Sequence, residues 1–80
     1  MEIYYSKLPI NRLLFIILNI RANGTFMKNT NYNLLLIHIK KIKPNNDQLN
    51  LLDLILNEDS RNLLLNFESF HRKIKKIKPY

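Results

Sequence analysis

The chain of 80 residues has no cysteine and no tryptophan, and it has only one glycine. Without cysteine it cannot form a disulfide or a thiolate zinc site, and the sequence gives no indication of the redox compartment. One glycine is too few for a glycine-rich loop that cradles phosphates. A chain this short forms at most one domain with a limited core. We therefore treat residues 1–80 as a single small domain.

Groups of residues typical of catalytic or metal sites are also missing. His38 and His71 lie far apart in the sequence, and neither has a metal-ligating residue three or four positions later. No serine stands in a nucleophile motif. The acidic residues lie among turn-forming residues, which favours helix capping over acid–base chemistry. We expect no enzymatic activity, no cofactor, no metal and no small-molecule substrate.

No apolar run is long enough to cross a lipid bilayer. The longest, Leu13–Leu18, has six residues, whereas a spanning helix needs about 20. Arg12 and Arg21 flank this run, which is unlike a cleavable signal peptide. We therefore expect neither a membrane span nor a targeting signal.

Positive charge is abundant and unevenly distributed, with a formal net charge of +7. Residues 1–43 contain seven basic and one acidic side chain, residues 44–70 contain one basic and five acidic, and residues 71–80 contain five basic and none acidic. Two basic regions thus flank an acidic one. This segregation favours a polyanionic partner such as a nucleic acid, with an anionic membrane surface or a merely solvated face as alternatives.

The first half of the chain predicts two helices. Residues 9–22 have apolar side chains at the three-four spacing of a helix, Pro9 suits the first turn, and Gly24 permits the left-handed conformation that ends it. A second helix is predicted over residues 31–42, ending before Pro44.

The second half favours a β-hairpin. Residues 48–56 and 62–68 are short apolar runs on either side of a turn at Asn57–Ser60, and Thr25–Lys28 is a further candidate strand. The prediction is an α+β fold: two helices packed on a small β-hairpin or three-stranded sheet, followed by a basic C-terminal tail over residues 71–80. The expected core includes Leu14, Ile17, Leu35, Ile39, Leu65 and Phe67.

The same apolar runs also fit helices, with Asp47 or Asp59 as possible caps. This interpretation gives the alternative fold, a small all-α helical bundle.

The predicted contacts are basic residues facing RNA phosphates. They are Arg21, Lys28, Lys40, Lys41, Lys43, Arg72, Lys73, Lys75, Lys76 and Lys78. Most are lysines, which act on phosphate as point charges with little geometric selectivity. Near the tail only Tyr80 could stack on a base, so an aromatic platform for single strands is not expected. These features favour structural contact with RNA over reading of its sequence.

Three segments resemble the N-terminal domain of the small-subunit ribosomal protein S-eight family. They are Pro9-Ile10 followed by Leu13, Leu14, Ile17 and Asn19; Leu64-Leu65-Asn66-Phe67; and Ile74-Lys75-Lys76-Ile77-Lys78-Pro79. The resemblance implies a structural constituent of the ribosome that binds ribosomal RNA and neighbouring ribosomal proteins, with Asn19 added to the RNA contacts. It also implies a truncated or split family member in a mitochondrion or another organelle, with a separate chain supplying the family's second domain.

Two alternatives belong to other classes of protein, in the cytoplasm of a bacterium or a phage-infected cell. One is a small all-α protein-interaction domain; Leu8-Pro9 followed by Leu13 and Ile17 also resembles the opening of an F-box. The other is a DNA-binding regulator in which residues 47–70 form the two helices of a helix-turn-helix.

Overall fold

The computed structural model describes residues 8–24 and 30–77. Within these ranges the chain forms five helices and no strand, so the predicted α+β fold is wrong and the all-helical alternative is the one observed. The helices are α1 (Ile10–Ala22), α2 (Thr30–Lys41), α3 (Asn46–Asn57), α4 (Ser60–Leu65) and α5 (Phe67–Lys76).

Helix α1 is the centre of the fold and contacts all four other helices. Its side chains Leu13, Leu14, Ile17 and Leu18 are fully buried. Pro9 occupies the N-cap in an extended conformation, and its carbonyl accepts hydrogen bonds from the amides of Arg12 and Leu13. The prediction of a helix over residues 9–22 is confirmed.

Helix α2 confirms the second predicted helix, one residue earlier than expected. Tyr32, Leu35 and Ile39 are buried, at the three-four spacing that the sequence indicated. The helix ends where Lys43 takes a left-handed conformation, with φ of 53°, just before Pro44.

The first predicted hairpin strand, residues 48–56, lies within helix α3. A reciprocal capping box starts this helix: Gln48 N donates to Asn45 Oδ1, and Asn45 N donates to Gln48 Oε1, both at 2.8 Å. These bonds satisfy two donors that a helix N-terminus leaves unpaired, which stabilises the helical state. The buried residues Gln48, Leu51, Leu52 and Ile55 follow the helical period.

The second predicted strand, residues 62–68, is divided between α4 and α5. Asp59 caps α4 by accepting a hydrogen bond from Asn62 N at 2.8 Å. Leu63 is the buried residue of α4. Leu65, expected in the core, is 75% exposed, and Phe67 is half-buried, because helical geometry turns them away from the side that a strand would have presented.

The predicted basic tail is largely a packed helix. Residues 71–76 are the second half of α5, in which Phe70 and Ile74 are buried. Residues 78–80, and the strand expected at Thr25–Lys28, lie outside the described residues.

Helices α1, α2 and α3, taken in chain order, run in alternate directions, so α1 and α3 run the same way. At the start of α1, Asn11 Nδ2 donates to the carbonyl of Ile77 just after α5, at 2.8 Å. At the end of α1, Arg21 bonds the carbonyl of Ile55 near the end of α3 and approaches the hydroxyl of Tyr32 near the start of α2. The ends of α2 and α5 therefore lie at the same side of the fold as the starts of α1 and α3.

Candidate nucleic-acid interface

This helix arrangement gathers exposed cations at one end of the molecule. We call this region the basic end; its residues are Arg12, Lys40, Lys41, Lys43, Lys73, Lys75 and Lys76, all exposed. They come from the first turn of α1, the end of α2 and the last turn of α5. Arg72 is also exposed, on α5 one turn before the end. Residues from distant parts of the sequence, such as Arg12 and Lys75, thereby line one surface.

The acidic residues lie mainly at the opposite end. Glu58 and Asp59 connect α3 to α4, and Asp53 is in the second half of α3. Glu68 is in the first turn of α5, but it lines a surface depression together with Arg72, Lys73 and Lys76. Among the described residues, Asp47 is the acidic side chain at the start of α3, beside the basic end. The alternation of charge along the sequence thus becomes a separation of charge in space, which leaves a positive potential over one surface.

Helix α5 presents the densest part of the basic end. Phe70 and Ile74 are buried, while Arg72, Lys73, Lys75 and Lys76 are exposed. The lysines of the last turn lie where the helix dipole favours cations. The Nζ atom of Lys73 also lies 5.2 Å from the centroid of the Phe70 ring, a cation–π distance that favours one orientation of this side chain.

The end of α2 contributes three further lysines. Lys40 and Lys41 are in the last turn, and Lys43 follows in the left-handed conformation. A non-glycine residue in this conformation costs roughly 1–2 kcal/mol relative to the right-handed one.

Arg21 has a different position from the other predicted contacts. It is buried, with 9% of its surface exposed. Its Nε donates to the carbonyl of Ile55 at 3.0 Å, its NH2 donates to the carbonyl of Glu58 at 2.6 Å, and its NH1 lies 3.4 Å from the hydroxyl of Tyr32. Arg21 therefore caps the C-terminus of α3 from the neighbouring helix, and we leave it out of the interface.

Asn19 is exposed and borders a groove that sequence reasoning missed. Its Nδ2 donates to the carbonyl of Phe15 at 3.0 Å. The groove lies between α1 and α5 and is lined by Arg12, Phe15, Asn19, Phe67, His71 and Lys75. The spacing of four between Phe15 and Asn19, and between Phe67 and His71, would have placed each pair on one helix face, but the facing of the two helices was not evident from the sequence.

Two predicted contacts, Lys28 and Lys78, lie outside the described residues. In the parts of the chain that are described, no group of three or more acidic or histidine residues could hold a metal ion. Over the same ranges, no helix combines the length and the apolar character needed to cross a membrane.

Comparison of the chain with protein-family models, with curated proteins and with solved structures finds no match.

Proposed function

We propose that this protein binds RNA, through phosphate contacts made by the basic end and by Arg72. The observation that supports this proposal is the gathering of exposed cations from α1, α2 and α5 on one surface, with most of the acidic side chains elsewhere. Such a surface attracts a phosphate backbone over distances of about a Debye length, roughly 8–10 Å in physiological salt.

Lysine-rich contact suits structural binding more than sequence reading. A lysine ammonium offers no fixed fork of donors to a base edge, whereas phosphate accepts it from many directions. In folded RNA the exposed groups are mainly phosphates and 2′-hydroxyls. We therefore expect affinity to depend on charge and salt more than on base sequence.

A place in a small ribosomal subunit, in a mitochondrion or another organelle, remains part of the proposal through sequence resemblance alone. The segment compared with the second hairpin strand of the ribosomal family, Leu64–Phe67, is divided between α4 and α5. The order of secondary-structure elements therefore does not support the ribosomal assignment. The support for RNA binding comes from the charge distribution.

The experiment is a binding titration of a folded RNA hairpin across a salt series, by filter binding or fluorescence anisotropy. If about five lysines each neutralise one phosphate, the slope of log affinity against log salt should be about −3 to −5. Replacing Lys76 by Gln should reduce the magnitude of this slope by about 1.

The matched control is Arg61→Gln. Arg61 is an exposed cation in the first turn of α4, away from the basic end, so its replacement should leave the slope unchanged. Binding that is independent of salt, or equal effects of the two replacements, would contradict the proposal.

Duplex DNA is a second candidate because α3, α4 and α5 follow one another closely over residues 46–76 and α5 presents an exposed basic side. Helices α3 and α4 are joined by only Glu58 and Asp59, but residues 47–70 include parts of three helices, not the two that the predicted helix-turn-helix requires. The same titration with a DNA duplex of matched length tests it: at least tenfold tighter binding to DNA would favour this candidate over RNA.

A further inference from the structure

The groove between α1 and α5 has a floor of three aromatic rings. The ring centroids of Phe15 and His71 are 4.5 Å apart, and those of His71 and Phe67 are 6.0 Å apart. We call these three residues the aromatic floor. All three are half-buried, so part of each side chain is exposed, and His71 contacts both phenylalanine rings.

Cationic and amide side chains surround the aromatic floor. Arg12 and Lys75 line the groove near the start of α1 and the end of α5, and Asn19 lines it further along α1. Both cations are exposed and belong to the basic end. The groove has a volume of about 550 Å³, within the range of roughly 300–1,000 Å³ that is typical of small-ligand sites.

This combination matches the chemistry of an unpaired nucleotide. Bases of single strands stack on aromatic side chains, and positive residues beside them neutralise the phosphates. A guanidinium such as that of Arg12 donates two parallel hydrogen bonds to a phosphate. The amide of Asn19 uses one N–H on the carbonyl of Phe15, which leaves one donor and the Oδ1 acceptor for a base edge. In a duplex the base faces are stacked on one another, so the aromatic floor could not reach them.

We propose that the groove binds an unpaired base of single-stranded RNA, stacked on the aromatic floor, with Arg12 and Lys75 at the adjacent phosphates. This inference rests on the proposed RNA binding and makes it more specific: the basic end supplies affinity for any RNA, and the groove supplies a preference for unpaired nucleotides.

The test compares a labelled single-stranded RNA octamer with an RNA duplex of the same length, by fluorescence anisotropy, for four forms of the full chain: wild type, Phe67→Leu, Phe70→Leu and Lys76→Gln. Wild type should bind the single strand more tightly. Phe67→Leu keeps an apolar side chain but removes the ring, and should weaken single-strand binding roughly 5- to 100-fold, as loss of a stacking ring does. Duplex binding should change less than twofold.

The matched control is Phe70→Leu, the same replacement three residues later on α5. The Phe70 side chain is buried and does not line the groove, so its replacement should leave the ratio of single-strand to duplex affinity unchanged. Equal loss for both variants and both RNAs, or no single-strand preference in wild type, would overturn the groove proposal while leaving the basic end in place. If Lys76→Gln bound both RNAs with the same affinity as wild type, the proposed RNA binding through the basic end would be overturned instead.

A measurement on wild type avoids variants that fold poorly. Titration with uridine 5′-monophosphate should shift the NMR resonances of the ring protons of His71 and Phe67, because a stacked base exerts a ring current on them. Shifts confined to the lysines of α2 and α5 would contradict base stacking in the groove.

Discussion

The two ends of helix α1 use their arginines in different ways. Arg21, near the C-terminus, is buried, and its guanidinium donates to the carbonyls of Ile55 and Glu58. Arg12, near the N-terminus, is exposed and lies beside the lysines of α5. The two residues carry the same charge, yet one completes the fold and the other is available to a partner.

The difference shows that burial and hydrogen-bond partners, and not charge alone, decide whether an arginine stabilises the fold or is available to bind a ligand. The last carbonyls of α3 have no N–H donor within the helix, and Arg21 donates to the carbonyls of Ile55 and Glu58 from outside. At the other end of α1 the smaller side chain of Asn11 does the same for the carbonyls at the end of α5. The cations at that end, Arg12 and Lys75 among them, are exposed.

The largest expected effect comes from Arg21→Met. Methionine keeps much of the apolar volume but cannot donate, so the carbonyls of Ile55 and Glu58 lose a charged donor in a buried place. Hydrogen bonds to charged groups are worth about 1.5–3 kcal/mol each, and buried groups left without partners cost more. We expect the free energy of unfolding to fall by about 2–5 kcal/mol, measured by urea denaturation.

Arg12→Met is the matched control because it is the same replacement on the same helix at an exposed site. We expect a change within about 0.5 kcal/mol, as for other surface positions. Similar losses for the two variants would show that Arg21 contributes no more to stability than a surface arginine.

The sequence correctly predicted the helices whose apolar residues fit the helical period but not the alternating period of a strand. In α1 the buried residues and the terminating Gly24 all indicate a helix, and the prediction is confirmed. Residues 49–56 have leucine or isoleucine at most positions, so both a strand and a helix can place apolar residues on one side. The deciding feature was the pair Asn45 and Gln48, whose reciprocal bonds start α3, whereas Asp47 was the cap considered.

The candidate site was predictable only in part. The exposed lysines were identified from charge, but their meeting at one end depends on alternate helix directions, which follow from contacts such as that of Asn11 with Ile77. The spacing of Phe67, Phe70 and Ile74 indicates an amphipathic helix that runs from the second predicted strand into the predicted basic tail. The buried position of Ile74 also means that removal of residues 72–80 would remove part of the core.

Gly24→Ala should have the next largest effect, at the same end as Arg21. Gly24 has φ of +70°, and a Cβ atom there would lie 3.8 Å from Ser60 Oγ, an ordinary contact. The cost is therefore that of the backbone conformation, about 1 kcal/mol in thermal or urea unfolding. Gly24→Asn should cost less, since asparagine tolerates this conformation better; equal costs would point to the side-chain contact instead.

Asn11→Ala should cost less still, although Asn11 and Arg21 have similar positions at opposite ends of α1. Its Nδ2 donates to Ile77 O at 2.8 Å, and loss of this hydrogen bond should destabilise the variant. Its Oδ1, however, is buried without a hydrogen-bond partner among the described residues, so replacement also removes an unsatisfied group. We expect a loss of about 0.5–1 kcal/mol. The control is Asn19→Ala at an exposed site, and a loss above about 2 kcal/mol for Asn11→Ala would contradict this balance.

Lys76→Gln should have the smallest effect on stability, although it should weaken RNA binding. Lys76 is exposed in the last turn of α5, where its charge interacts favourably with the helix dipole, so Lys76→Gln should destabilise by about 0.3–1 kcal/mol at low salt. In 1 M salt the Debye length falls to about 3 Å, and the difference should nearly vanish. Arg61 lies in the first turn of α4, where the helix dipole disfavours a cation, so Arg61→Gln should leave the free energy of unfolding unchanged or raise it slightly. Urea denaturation of both variants at two salt concentrations measures these changes in the free energy of unfolding. A loss of several kcal/mol for Lys76→Gln, unchanged by salt, would show that the basic end, like Arg21, is part of what holds the fold together.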